Sequence, residues 1–155
     1  MNTKPKNTPL RILFADDDID DRFFFDKALK EIPIATTLKT VNNGEQLMDY
    51  LIENITDLPD VLFLDLSMPR KTGFECLVEI RENEKLTALP VVMFTTSFTR
   101  GIDLEHNLIN TLSRMGAQDY IRKPGDFAEF KSVIHQALIK LIEKGYCKKI
   151  ENTLN

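Results

Sequence analysis

Four polar clusters each close a short apolar run: Asp16-Asp17-Asp18 after LRILFA, Asp65 after VLFL, Thr95-Thr96-Ser97 after VVMF, and Lys123-Pro124 after QDYIR. Each is ordinary by itself, since aspartates after a strand often cap the next helix, threonine suits strands, and lysine is common on surfaces. Gathered in one place they have a definite chemistry. Two carboxylates about 4 Å apart repel by roughly 4 kcal/mol at an effective dielectric of 20, so three carboxylates crowded together from among Asp16, Asp17, Asp18 and Asp65 favour a divalent cation. Oxygen ligands suit Mg²⁺, which commonly sits between one or two carboxylates and a phosphate. Lys123 supplies a point charge for a carboxylate or phosphoryl oxygen, and the Thr95 hydroxyl a donor for another oxygen. Such parts cradle a phosphoryl group whose acceptor is itself one of the carboxylates.

For these groups to meet, several strand ends must share one edge of a sheet, and the chain alternates apolar runs with amphipathic stretches in the required way. Leu10–Ala15 reads as a buried strand, and Ile19–Glu31 as a helix with Phe25, Ala28, Leu29 and Ile32 on one face, ended by Pro33. Asp18 or Asp20 would cap it. Thr36–Val41 is a β-branched second strand, and Asn42-Asn43-Gly44 a turn before the helical EQLMDYLI. Val61–Asp65 is a third strand. Thr72 caps a helix whose inner face is expected to carry Phe74, Leu77 and Val78. Pro90 introduces Val91–Thr95, the fourth strand. Leu104, Leu108, Leu112 and Met115 then recur at helical spacing up to Gly116, a C-cap. Gln118–Arg122 is a fifth strand, and Phe127, Phe130, Ile134, Leu138 and Leu141 mark a last helix. Five strand–helix pairs whose strands are apolar on both faces make an α/β, doubly wound parallel sheet with helices on each side. In such sheets ligands bind beyond the carboxyl ends of the strands, where the polar clusters stand.

The 155 residues suit one domain, expected over 9–145 with a loose leader at 1–8 and a short tail at 146–155, leaving no room for an output domain. The net charge of −4 argues against a sequence-blind nucleic-acid binder. The longest uncharged stretch, Leu86–Thr99, is broken by Pro90 and too polar to span a bilayer, and the N-terminus has no signal-peptide run. Cys76 and Cys147 have no metal-ligand spacing and suit a reducing compartment, so the expected location is cytoplasmic.

The segments ILFADDDIDD, LFLDLSMPRKTGFE, PVVMFTTS and DYIRKP, in this order, resemble the receiver domain of two-component response regulators, over roughly Leu10 to Lys144. The resemblance is strongest to stand-alone receivers carrying a P-R-x-x-G-[FL]-E segment. It implies a flavodoxin-like, chemotaxis-receiver-like (βα)5 fold with strand order 2-1-3-4-5. It implies Asp65 as phosphoacceptor, Asp17 as a direct Mg²⁺ ligand with Asp16 beside it, and a metal-binding backbone carbonyl at Ser67. Thr95 would be the switch hydroxyl, Lys123 the phosphoryl-pairing lysine, and Tyr120 the rotating aromatic. The donor would be a sensor histidine kinase or histidine phosphotransfer protein, and a downstream protein would meet the surface of helix four, strand five and helix five. The product would be a monomer or a phosphorylation-linked dimer, a signalling module rather than an enzyme. The chain departs from the family in one respect: the 28 positions from Thr95 to Lys123 exceed the usual spacing, the excess falling around Phe98–Asp103.

The alternative reading is a phosphorylation-independent receiver-like adaptor, against which the intact acidic groups and lysine speak. A haloacid-dehalogenase-type phosphohydrolase would need Asp-x-Asp-x-Thr after strand one, where this chain has Asp20 at the threonine position. A flavodoxin would need a hydroxyl- and glycine-rich phosphate loop where three aspartates stand. His106 and His135 stand alone and suit solvated helix faces, as do Lys140, Lys144 and Lys148 at helical spacing. Of Phe23-Phe24-Phe25 a helix cannot bury all three, so one of Phe23 and Phe24 should be exposed, either as a kinase contact on helix one or as simple incomplete burial.

Overall fold

The computed structural model describes residues 8–96 and 102–145. Ten elements alternate: β1 (Leu10–Ala15), α1 (Ile19–Glu31), β2 (Thr36–Val41), α2 (Gly44–Glu53), β3 (Val61–Leu64), α3 (Gly73–Glu82), β4 (Val91–Thr95), α4 (Ile102–Arg114), β5 (Asp119–Arg122) and α5 (Phe127–Glu143). The strands form one parallel sheet in the order β2-β1-β3-β4-β5. The chain steps from β1 outward to β2, then crosses back to β3 on the other side of β1. That reversal opens a crevice at the carboxyl ends of β1 and β3.

Two-residue alternation along the strands divides the core into two layers. On one face Phe14, Phe63 and Phe94 meet Phe25 of α1 and Phe130 and Ile134 of α5. On the other, Leu13, Leu62, Leu64, Val91 and Met93 meet α2, α3 and Leu112 of α4. The aromatic layer interlocks edge to face, with Phe25 at 5.1 Å from Phe63 and Phe94 at 5.2 Å from Phe130 between ring centroids. The helices start where the side chains dictate. Asp18 caps α1 by accepting from the Asp20 N–H at 2.8 Å, and Thr72 and Glu75 form a reciprocal capping box on α3. Gly116 follows α4 at a φ of 102°, a left-handed turn that favours glycine.

Four expectations need correction. Val78 is exposed; Gly73, Cys76, Leu77 and Ile80 form the buried stripe of α3, with Phe74 only partly buried. Leu104 is also exposed, Leu108 half-buried and Leu112 buried, so burial in α4 grows toward its C-terminal end. Both Phe23 and Phe24 are exposed rather than one of them, because Phe25 takes the single inward position of that turn. Gln118 precedes β5, its side-chain oxygen accepting from the Val91 N–H at 2.6 Å. Ser97, most of the Phe98–Asp103 loop, Cys147 and Lys148 lie outside the described residues.

Candidate functional site

Register brings the two acidic corners together. β1 and β3 pair at Ala15 and Leu64, so the next residues, Asp16 and Asp65, leave the sheet side by side. The Asp16 N–H donates to Val41 O at 3.1 Å and the Asp65 N–H to Ala15 O at 3.0 Å, which fixes both backbones. Asp16, Asp17 and Asp65 each offer one oxygen within 4.8 Å of the others. Asp16 and Asp65 are buried and Asp17 is exposed. The loop after Asp65 is closed by the Gly73 N–H donating to Leu66 O at 2.9 Å. A Cβ on Gly73 would lie 2.3 Å from Asp65 O, so only glycine permits this approach.

The opposite side of the crevice comes from β4 and β5. Thr95 pairs with Arg122, and the Lys123 N–H donates to Thr95 O at 2.8 Å, which aims the lysine inward. Thr95 Oγ1 donates to Asp65 Oδ1 at 2.7 Å, and the Ser67 N–H reaches the same oxygen at 3.4 Å. The Lys123 side chain is only 4% exposed. Its Nζ donates to Asp16 Oδ2 and, at 2.9 Å, to Asp21 Oδ2, and lies 3.8 Å from Asp65 Oδ2.

The electrostatics are those of an excess of anions. Burial pushes the Asp16 carboxyl up from 3.8 to about 6, even though Lys123 and its hydrogen bond pull the other way. Burial likewise raises Asp65 against the pull of Lys123 and the Thr95 hydroxyl. Burial also opposes the charge on Lys123, but Asp16, Asp65 and Asp21 outweigh it and hold the ammonium above its ordinary value. One ammonium does not relieve this crowding. A set of hard oxygen donors with no nitrogen or sulfur, two of them buried and reluctant to ionise, fits a hard divalent cation such as Mg²⁺.

Tyr120 does not join this cluster. It packs with the α2–α3–α4 core layer, and its hydroxyl is buried without a hydrogen-bond partner among the described residues. Burial pushes the phenol's pKa up. Cys76 is buried in the same layer and its thiol is pushed up to about 12 by that burial, an inert core position. Sequence reasoning passed over Asp21. It stands in the first turn of α1, where an acid is ordinary, and nothing local marks it as a partner of Lys123. Beside the lysine a groove of about 290 Å³ opens between α1 and α5, lined by Asp21, Phe24, Thr96, Lys123, Phe127 and Phe130 among others.

A segment of the sensor histidine kinase CheAY of Helicobacter pylori is 30% identical over 147 residues, 90% of this chain but only 16% of the kinase. The probable methanogenesis regulatory protein FilR2 of Methanothrix harundinacea is 28% identical over 131 residues, covering 83% of this chain and 81% of FilR2. Among solved structures, the Mn²⁺-bound response regulator Rcp1 is 25% identical with a TM-score of 0.71, covering 90% of this chain and 95% of that one. No helix among the described residues is long and apolar enough to cross a membrane. The response regulator receiver domain model matches residues 12–135, which also carry the crevice, and the chain belongs to that family of two-component signalling modules.

Proposed function

We propose that this chain is a single-domain response regulator that accepts a phosphoryl group on Asp65 from a histidine kinase or histidine phosphotransfer protein, in a Mg²⁺-dependent reaction in the cytoplasm. The observation that carries the reading is the convergence of Asp65 with Asp16, Asp17, Thr95 and Lys123 at the carboxyl edge of the sheet. Asp16, Asp17 and Asp65, with the Ser67 carbonyl, would hold the metal. When bound, Mg²⁺ supplies neutralising charge for the phosphoryl oxygens beside these carboxylates.

In the transfer an Asp65 carboxylate oxygen forms the new bond to phosphorus while the phosphorus–nitrogen bond of the donor histidine breaks, its electron pair returning to the imidazole. Thr95 already donates to Asp65, and its hydroxyl is placed to turn to a new phosphoryl oxygen. Lys123 is the cation for another. Exposed Phe24 on α1 lines the groove that leads to Lys123, and exposed Phe23 lies against it at 5.6 Å between ring centroids, which suits the docking of a donor protein there. On the far side, Tyr120 has a buried hydroxyl with no hydrogen-bond partner among the described residues, and exposed Leu104 lies on neighbouring α4. These features support a partner switch on the α4–β5–α5 face, by a shift in population between two arrangements.

The test is the intact mass of the chain after incubation with Mg²⁺ and acetyl phosphate, beside the Asp65→Asn variant. The expected result is one phosphoryl mass gained, dependent on Mg²⁺ and absent from the variant. A folded wild-type chain that gains no mass from acetyl phosphate or from a panel of phosphorylated histidine kinases would refute the reading in favour of an unphosphorylated adaptor.

A further inference from the structure

Lys123 has three carboxylates in reach, and the one that is not part of the proposed metal and phosphoryl pocket holds it more closely than Asp65 does. Asp21 stands in the first turn of α1, its side chain 22% exposed, and accepts from Nζ at 2.9 Å, whereas Asp65 Oδ2 is 3.8 Å away. A charge-assisted bond of that length, to a lysine side chain almost wholly out of water, is among the stronger polar contacts a protein makes. We propose that Asp21 is a positioning residue that holds Lys123 on the α1 side of the crevice and slows phosphoryl transfer to Asp65. The inference rests on the phosphoacceptor reading above.

The balance of the reaction shows why the contact acts as a brake. With acetyl phosphate as donor, the bond from the acetyl oxygen to phosphorus breaks, acetate leaves with the electron pair, and an Asp65 oxygen takes the new bond; no proton moves. Anionic oxygens accumulate beside Asp65, and Asp21 competes with them for the charge of Lys123: drawing Nζ closer to Asp65 than its present 3.8 Å works against the 2.9 Å bond to Asp21. Asp21 also lines the groove next to Lys123 and Thr96, so its charge faces an incoming anionic donor. Both effects have the same sign. Asp16 holds the lysine too, but as a proposed metal ligand its charge is shared once the metal binds. Asp21 keeps its full hold.

The experiment compares the full wild-type chain with Asp21→Asn and Asp21→Glu, following phosphorylation by intact mass across a range of acetyl phosphate concentrations at fixed saturating Mg²⁺. Asparagine keeps the shape and removes the charge, and the saturated rate is expected to rise about tenfold. Glutamate keeps the charge, and its rate should stay close to wild type. A gain confined to the concentration dependence, with the saturated rate unchanged, would overturn the positioning role and leave only surface repulsion. Equal or slower labelling of Asp21→Asn beside a labelled wild type would overturn this inference alone. An unlabelled wild type would overturn the phosphoacceptor reading and this inference with it. Circular dichroism of each variant confirms that folded chains are being compared.

Discussion

Replacing Asp16 by Asn should make the metal-free domain more stable at pH 7, although it breaks an ion pair. Burial raises the Asp16 carboxyl from 3.8 to about 6 with the pull of Lys123 already included. At 1.36 kcal/mol per pH unit, carrying the charge into the folded state costs about 3 kcal/mol. Asparagine removes that charge but has one acceptor oxygen where Asp16 uses two, Oδ1 for the Asp18 N–H at 2.8 Å and Oδ2 for Lys123. Losing one of these acceptors returns about 1–2 kcal/mol. The net expectation is a gain of about 1–2 kcal/mol, or roughly 3–6 °C in melting temperature for a domain of this size. The assay is thermal and urea denaturation in EDTA at pH 7, repeated down to pH 4. The native wild type binds its Asp16 proton more tightly than the unfolded chain does, so acidification from above pH 6 to below 4 stabilises wild type relative to the variant by about 3 kcal/mol, and the gap should close and then reverse. With Mg²⁺ in hundredfold excess over its dissociation constant, wild type should gain about 2.7 kcal/mol that the variant largely lacks, reversing the order. A variant that melts below wild type in EDTA at pH 7 would show that the buried charge is not a net cost, and the reasoning would fail.

Two further substitutions probe what holds the crevice in place. Arg81 at the end of α3 donates to Gly116 O at 2.8 and 3.0 Å, to Thr87 O at 3.0 Å, to Leu89 O at 2.9 Å and to Gln118 Oε1 at 3.0 Å, tying the starts of β4 and β5 to the end of α4. Arg81→Ala should cost about 3 kcal/mol in urea denaturation, and lysine should recover less than half because it has no fork; a loss below about 1 kcal/mol would discount the clamp. Gly73→Ala places a Cβ 2.3 Å from Asp65 O and 2.8 Å from Leu66 Cα, so the loop after Asp65 must move. Its expected cost is about 1–3 kcal/mol, together with slower acetyl phosphate labelling at temperatures where the chain remains folded; unchanged labelling would show that the loop has slack.

The sheet was legible because fully buried parallel strands leave apolar runs, and each run here ends where a polar residue must face the crevice. β1, α1, β2, β4 and the start of α3 follow directly from such local signals. The inner face of α3 did not. A helix read by its apolar residues alone points Leu77 and Val78 inward, yet the contact that orients α3 is Gly73 against the Asp65 backbone, and glycine has no hydrophobic signature. With Gly73 facing the sheet, Cys76, Leu77 and Ile80 follow on the same side, and Val78 is turned about 140° away. Leu104 was misjudged for a related reason: helical spacing gives the stripe, but how far along α4 the helix stays against the sheet depends on tertiary geometry.

The same distinction separates the groups of the candidate site. Asp16, Asp65, Thr95 and Lys123 are conspicuous because strand ends mark them, and the register of four strands does the rest. Asp21 sits in a run of acids at a helix start, where a favourable interaction with the helix dipole is explanation enough. Its partner is 102 residues away, delivered by the pairing of Thr95 with Arg122 and the inward turn of the next residue. No local pattern encodes that meeting. Asp16 and Asp65 are the acids a metal or phosphoryl group would occupy, so their hold on Lys123 changes with the state of the site. Asp21 lies outside that exchange, and its charge acts on the lysine in every state. A residue of that kind can set the rate of transfer without taking part in it, and its choice is therefore free to differ between chains that share the same chemistry.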